Sequence, residues 1–178
     1  MHKLEVFFDY ACPYCYKAHG YLTELIPDYP DIKIIWRPCE SHPRPDRYGP
    51  HSDLCIRGYF YAVENSADIL SYHDRMYTAA LKEKVNIEDI DVLSDYVSDL
   101  VDVHAFSQAL RQGSYSDTLT EANRLAFELS GVWAVPAYRM EGHKVDAIED
   151  VGVSKEQLRK LLDIVIPVDK TENITFYT

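Results

Sequence analysis

A pair of cysteines near the start of the chain constrains the fold more than any other feature. They lie in residues 8–15, which read Phe-Asp-Tyr-Ala-Cys-Pro-Tyr-Cys. Residues 3–8 combine β-branched and aromatic residues, as is typical of a strand, and residues 16–26 carry apolar side chains at helical spacing. The sequence therefore predicts that Cys12 and Cys15 lie at the junction of a strand and a helix.

This position has chemical consequences for the two thiols. Pro13 is favoured in the first turn of a helix, which puts Cys12 at the N-cap and Cys15 near the third helical position. Residues three apart share a helix face, so the two sulfurs can approach bonding distance. The unpaired N–H groups and the positive end of the helix dipole favour a thiolate at Cys12 and lower its pKa. The pattern thus predicts a nucleophilic thiol and a resolving thiol.

The same cysteines allow two alternatives to redox chemistry. Cys12, Cys15 and His19 form a C-x2-C-x3-H string, so the chain could be a non-enzymatic adaptor that holds zinc, although no second C-x-x-C or H-x3-H pair follows in the sequence. Two inert cysteines are the other alternative. A C-x-x-C beside a strand–helix–strand pattern favours redox chemistry, so no metal is expected at the site.

Composition narrows the partners and the location. The 178 residues, 47% of them hydrophobic, suit a single globular domain. The 18 basic and 29 acidic residues give a net charge of −11, which repels phosphate backbones and anionic lipids, so neither nucleic acid nor a membrane is expected as a partner. The sequence starts on the predicted strand rather than on a signal peptide, which favours a cytoplasmic location with the cysteines resting mostly as thiols.

The chain up to residue 111 predicts a strand–helix–strand unit followed by helices. Residues 32–36 form the second strand, which should run parallel to the first. The proline-rich residues 39–50 predict a long loop, and residues 52–111 are helical with no strand between the helices. Within that helical stretch, Asn86 is predicted as an N-cap.

The remainder of the chain predicts a helix, a hairpin of two strands and a final helix. These elements occupy residues 115–130, 137–140 and 144–148, and a segment from Ser154 to just before Pro167. Thr118 and Glu121 have the spacing of a capping box in the first of these helices. Ser154 and Gln157 have the same spacing in the last one.

The order of elements predicts the fold class. Strand, helix, strand, helical insertion, helix, two strands and helix is an α/β arrangement of the thioredoxin type, with a four-stranded mixed sheet. We predict a single domain over residues 1–178, with the core in residues 1–38 and 115–168 and the insertion in about residues 51–111. The tail around Ile174 and Phe176 could add an edge strand.

Several segments together resemble a known family. They are the stretch through Cys12-Pro13-Tyr14-Cys15, Trp36-Arg37-Pro38 at the end of the second strand, the helical insertion, and Gly131-Val132-Trp133-Ala134-Val135-Pro136-Ala137-Tyr138. This combination is similar to the DsbA-like branch of the thioredoxin superfamily, most closely to the FrnE-like group. The resemblance covers nearly the whole chain.

The resemblance implies roles for several residues. Pro136 would be a cis proline that faces the dithiol, and the backbone of Val135 would pair with an extended substrate segment. Cys12 would attack a substrate disulfide, and Cys15 would then resolve the mixed disulfide. The residue six positions before Cys12 is Val6, whereas many members of the superfamily have a buried acid there.

Pro13 and Tyr14 would tune the reduction potential through the stability of the Cys12 thiolate. Pro-Tyr between the cysteines also matches glutaredoxins, which makes glutathione an alternative co-substrate. No other cofactor is expected. Cys39 and Cys55 are predicted as small buried residues.

The sequence therefore predicts a thiol-disulfide oxidoreductase that acts on protein or peptide substrates. The enzymatic alternative is a glutathione-dependent isomerase or transferase, because hydroxychromene carboxylate isomerases and kappa-class glutathione transferases share this architecture. Those enzymes usually carry serine where Cys12 stands, which disfavours them.

Overall fold

The computed structural model describes residues 1–165, so Pro167 and the predicted edge strand around Ile174 and Phe176 lie outside the described residues. Its strands are β1 (His2–Phe8), β2 (Ile32–Pro38), β3 (Ala137–Met140) and β4 (His143–Asp146). Its helices are α1 (Pro13–Leu25), α2 (Asp53–Glu64), α3 (Ile69–Tyr77), α4 (Ile90–Tyr96), α5 (Val103–Arg111), α6 (Ser116–Arg124) and α7 (Lys155–Leu162). In this part of the chain, no helix combines the length and apolar character needed to cross a membrane.

The four strands form one mixed sheet in the order β2-β1-β3-β4, as the fold class predicts. β1 pairs in parallel with β2, and β3 runs antiparallel to both β1 and β4. Phe7 near the end of β1 is paired with Ala137 at the start of β3. This register brings the residues that follow β1 beside the residues that precede β3.

The helices between β2 and β3 pack on the sheet through aromatic rings. His73 on α3 is fully buried and lies 5.0 Å from Phe8 and 4.5 Å from Trp36, measured between ring centroids. Its ring stacks on Tyr59 of α2 with an interplanar angle of 14°. These contacts fix the position of α3 above β1 and β2.

Two predicted helix caps are wrong. α4 is capped by Asp89, whose carboxylate accepts the N–H of Asp91, while Asn86 accepts the N–H of Glu88 in the preceding turn. Aspartate and asparagine are equally good N-caps, so the residue that leads directly into the helix takes the role.

The capping box predicted from Thr118 and Glu121 is also absent from α6. The helix begins at Ser116, two residues before Thr118, and follows Tyr115, whose φ of 64° is left-handed. Glu121 therefore lies inside the helix and forms an ion pair with Arg124. Spacing alone cannot distinguish a capping box from two residues inside a longer helix.

The remaining turns and caps follow from local sequence. A short π-helix (Leu125–Leu129) continues α6, and Gly131 follows it with a φ of 57°. The β3–β4 turn consists of Glu141 and Gly142, both with positive φ, so it is one residue shorter than expected. The capping box between Ser154 and Gln157 is present at the start of α7.

Candidate active site

Cys12 occupies the N-cap of α1, which begins at Pro13. Its sulfur accepts the backbone N–H of Cys15 at 3.2 Å. Cys15 lies one turn into the helix on its buried face and is only 2% exposed, and its sulfur accepts the N–H of Asp9 at 3.5 Å. Both are free thiols, one open to solvent and one enclosed.

The surroundings shift the pKa values of the two thiols in opposite directions. The hydrogen bond from the Cys15 side chain, together with the N–H groups of Cys15 and Tyr14, lowers the pKa of Cys12 although burial opposes this. Burial raises the pKa of Cys15 well above its ordinary value, and the neighbouring Cys12 adds to the shift. Cys12 is therefore the thiol that ionises first.

The segment before β3 closes over Cys12. The Val135–Pro136 peptide bond is cis, and the carbonyl oxygen of Val135 lies 3.7 Å from the Cys12 sulfur, within reach of a thiol hydrogen bond. This proximity follows from the pairing of β1 with β3. Cys12 and Val135, separated by 123 positions in the chain, thus share one site.

Arg139 on β3 anchors the loop that leads to Val135. Its guanidinium donates to the carbonyl oxygens of Ser130 at 3.3 Å and Gly131 at 3.2 Å, and it forms an ion pair with Asp146. Asp146 also accepts the N–H of Trp133 at 3.2 Å. One buried arginine therefore holds residues 130–131 against the β3–β4 hairpin.

Asp9 is a site residue that the sequence analysis missed. Its carboxylate is 2% exposed and accepts the N–H of Ala11 at 2.9 Å and the N–H of Ser41 at 2.7 Å. The negative charge of Asp9 raises the pKa of both Cys12 and Cys15, although it is not the main cause for either thiol. The sequence did contain a signal for this residue, because Asp9 is an acid directly after the predicted first strand.

A cleft of about 460 Å³ opens beside Cys12. Of the predicted site residues, Cys12, Pro13, Tyr14 and Val135 line it. Cys15 and Pro136 instead line a small internal cavity behind the dithiol. The predicted residues are thus divided between an outer cleft and an inner cavity.

Exposed apolar side chains form one part of the cleft rim, and the exposed acids Glu149 and Asp150 form another. Trp133 is 86% exposed and Ile148 is 56% exposed, and Phe127 also lines the cleft. Exposed apolar side chains that line one cleft can form a binding surface.

The two other cysteines lie away from solvent, as predicted. Cys39 and Cys55 are fully buried, and burial raises the pKa of both thiols. Among residues 1–165, no group of three or more His, Cys, Asp or Glu side chains is arranged to hold a metal ion.

Known proteins are similar to this chain in sequence or in structure. The uncharacterized protein YwbO of Bacillus subtilis is 25% identical over 171 aligned residues, which cover 76% of this chain and 84% of that protein. A probable DsbA oxidoreductase from Streptomyces coelicolor matches with a TM-score of 0.77 at 15% identity, over 92% of this chain and 89% of the other. A 2-hydroxychromene-2-carboxylate isomerase matches with a TM-score of 0.67 at 15% identity, over 91% of this chain and 93% of the other.

The structural matches establish the thioredoxin-like fold, which both an oxidoreductase and an isomerase use. The family model of the DsbA-like thioredoxin domain matches residues 3–163, nearly the whole described chain. The chain belongs to the family of DsbA-like thioredoxin domains.

Proposed function

We propose that the protein is a thiol-disulfide oxidoreductase that exchanges disulfides with protein or peptide substrates. The observation that carries this proposal is the difference between the two thiols of one C-x-x-C pair. Cys12 lines the cleft and has a lowered pKa, whereas Cys15 is enclosed behind it and has a raised pKa. A dithiol that attacks with one sulfur and resolves with the other needs this asymmetry.

The reaction proceeds in two exchange steps. In the reductive direction, the Cys12 thiolate attacks one sulfur of a substrate disulfide, and the other substrate sulfur leaves as a thiolate. Cys15 then loses its proton and attacks the Cys12 sulfur, which forms the Cys12–Cys15 disulfide and releases the second substrate sulfur. Two electrons pass from the dithiol to the substrate, and the reverse sequence oxidises a substrate dithiol.

In this proposal, the substrate binds to the backbone of Val135 and to the apolar part of the cleft rim. An extended peptide beside Val135 would present its sulfur to Cys12, because the Val135 carbonyl is 3.7 Å from that thiol. Trp133 and Ile148 would contact apolar side chains of the same peptide. The proposed preference is therefore for unfolded or extended segments with apolar residues near the cysteine.

The direct test uses a peptide disulfide and follows its reduction. Cys12→Ser should abolish turnover, and Cys15→Ser should instead trap a covalent mixed disulfide on Cys12. Cys55→Ala is the matched control, because this cysteine is buried outside the site and its replacement should leave turnover intact. Retained turnover in Cys12→Ser would refute the proposal.

A glutathione-dependent isomerase is the second candidate. The cleft of about 460 Å³ supports it, because this volume is typical of small-molecule sites and the fold is shared with a 2-hydroxychromene-2-carboxylate isomerase. Turnover of a hydroxychromene carboxylate that requires glutathione would favour this activity. No turnover, together with disulfide exchange at Cys12, would exclude it.

A further inference from the structure

A small cavity lies behind the dithiol, between α1, α3 and the sheet. It measures about 10 Å³, which is close to the space that one water molecule needs. Three of its lining side chains are Cys15, His19 and His73, and the others are apolar or tyrosine side chains. Val6 also lines it, and no carboxylate of the described residues does.

His73, which lines this cavity, has a polar atom without a partner among the described residues. The residue is fully buried, and its Nδ1 atom lies 2.9 Å from the hydroxyl oxygen of Tyr10. Within residues 1–165, its Nε2 atom has no hydrogen-bond partner. An unpaired buried nitrogen is costly, and a water molecule in the cavity that His73 lines would satisfy it.

His19 lines the cavity and also lies near an exposed acid. It follows Cys15 by one turn on α1, so the two side chains share a helix face. Its Nε2 atom lies 3.9 Å from a carboxylate oxygen of Asp74, whose side chain is 75% exposed. His19 therefore contacts the enclosed cavity on one side and an exposed acid on the other.

Cys15 cannot resolve a mixed disulfide without losing its proton, and its burial opposes that loss. We propose that His19 accepts the proton of Cys15 through a water molecule that His73 holds in the cavity. This inference rests on the proposed thiol-disulfide exchange and assigns its proton acceptor.

The proton transfer completes the second exchange step. The Cys15 S–H bond breaks, and the proton passes to the His19 imidazole. The Cys15 sulfur then bonds to the Cys12 sulfur, and the bond between Cys12 and the substrate sulfur breaks. The substrate leaves as a thiolate, and His19 returns its proton to solvent beside Asp74. Both cysteines are oxidised and the substrate is reduced.

The surroundings of His19 support its role as the acceptor. The titratable groups that face it are Cys15 on its own helix and His73, Asp74 and Tyr77 on α3, while β2 contributes the uncharged Trp36. Burial lowers the pKa of His19, with Asp74 opposing the shift, so the ring is neutral near pH 7 and free to accept a proton. Burial lowers the pKa of His73 much further, which makes it a poorer acceptor.

Single-turnover kinetics separate the two exchange steps. The reduced protein is mixed with dithiobis(nitrobenzoate), an aromatic disulfide that releases one coloured thiolate when Cys12 attacks and a second when Cys15 resolves. Cys15→Ser should show only the first phase, which assigns the phases. The rates of both phases are then measured against pH for each variant.

His19→Gln should leave the first phase unchanged and slow the second by about 100-fold near neutral pH, the usual effect of losing a general base. The second phase of the variant should keep rising with pH, whereas the wild-type rate levels off once His19 is neutral. In Asp74→Asn, the second-phase rate should level off at a lower pH than in the wild type, because Asp74 raises the pKa of His19. His104→Gln, an exposed histidine on α5, is the control and should match the wild type.

A second phase with wild-type rate and pH profile in both His19→Gln and Asp74→Asn would overturn the inference. Equal slowing of both phases in His19→Gln would also overturn it, because that result indicates a packing defect. Loss of the first phase in the wild type would instead contradict the proposed function. The two failures are therefore distinguishable.

Discussion

At the residue scale, the two thiols of the C-x-x-C pair are chemically identical and differ only in what surrounds them. The N-cap position of Cys12 follows from Pro13 and was predictable from four adjacent residues. Of the groups around Cys15, His73 was not predictable, because it comes from a distant part of the chain. His73 reaches the same cavity from α3 only after α3 has packed on the sheet.

Asp9 provides a test of the electrostatics at this scale. Its charge raises the pKa of Cys12, so Asp9→Asn should lower that pKa further and let Cys12 react with iodoacetamide at lower pH than in the wild type. The asparagine oxygen can still accept one of the two backbone N–H groups that Asp9 holds. The measurement is the alkylation rate of Cys12 against pH.

Asp28→Asn is the matched control for this charge change. Asp28 is an exposed acid beyond the end of α1 and is not among the main causes of the pKa shift of either thiol. The alkylation rate of Cys12 in Asp28→Asn should therefore depend on pH as in the wild type. A shift of the Asp9→Asn profile to higher pH would mean that the hydrogen bonds of Asp9, rather than its charge, dominate its effect on Cys12.

At the element scale, local sequence patterns located most helices and strands, but the details of their ends depended on context. Ser154 and Gln157 formed the predicted capping box because α7 starts where the spacing indicated. Thr118 and Glu121 have the same spacing but form no capping box, because α6 begins directly after Tyr115. A left-handed residue at that point is not visible in a spacing pattern.

Two helical glycines should respond to alanine with opposite signs. A Cβ atom at Gly58 on α2 would lie 2.9 Å from the ring of Phe106 and would also collide with the hydroxyl of Tyr72. Gly58→Ala should therefore destabilise the protein by about 1–3 kcal/mol despite the better helix propensity of alanine. Gly20 on α1 has nothing within 4 Å of such an atom, so Gly20→Ala should stabilise by about 0.5–1 kcal/mol.

Urea unfolding of both variants measures these changes in the free energy of unfolding. The contrast is informative because both residues are helical glycines and only their neighbours differ. If Gly58→Ala were as stable as the wild type, the close approach of α2 to α3 and α5 would not exist in solution.

At the scale of the whole molecule, the order of elements was sufficient to predict the mixed sheet. The strand–helix–strand unit requires parallel pairing of β1 and β2, and the hairpin completes the sheet. How the helices between β2 and β3 dock was not predictable, since it depends on contacts between aromatic rings that are far apart in sequence. The domain boundaries at residues 38, 51, 111 and 115 remain predictions.

The aromatic contacts of His73 make a prediction about cooperativity. Because His73 packs on Phe8 and Trp36 in the sheet and on Tyr59 in α2, the helical insertion should not unfold by itself. Urea transitions followed by tryptophan fluorescence and by far-ultraviolet circular dichroism should coincide. Separate transitions would show that the insertion is an independent unit.

A redox titration shows whether Cys12 and Cys15 form a reversible redox pair, on which the proposed function depends. The protein is equilibrated across a series of glutathione ratios, free thiols are trapped by alkylation, and mass spectrometry maps the paired cysteines. We expect a reversible Cys12–Cys15 disulfide, with Cys39 and Cys55 remaining thiols because both are fully buried. Failure to form that disulfide at any ratio, or its replacement by a lasting glutathione adduct on Cys12, would show that the two cysteines are not a redox pair.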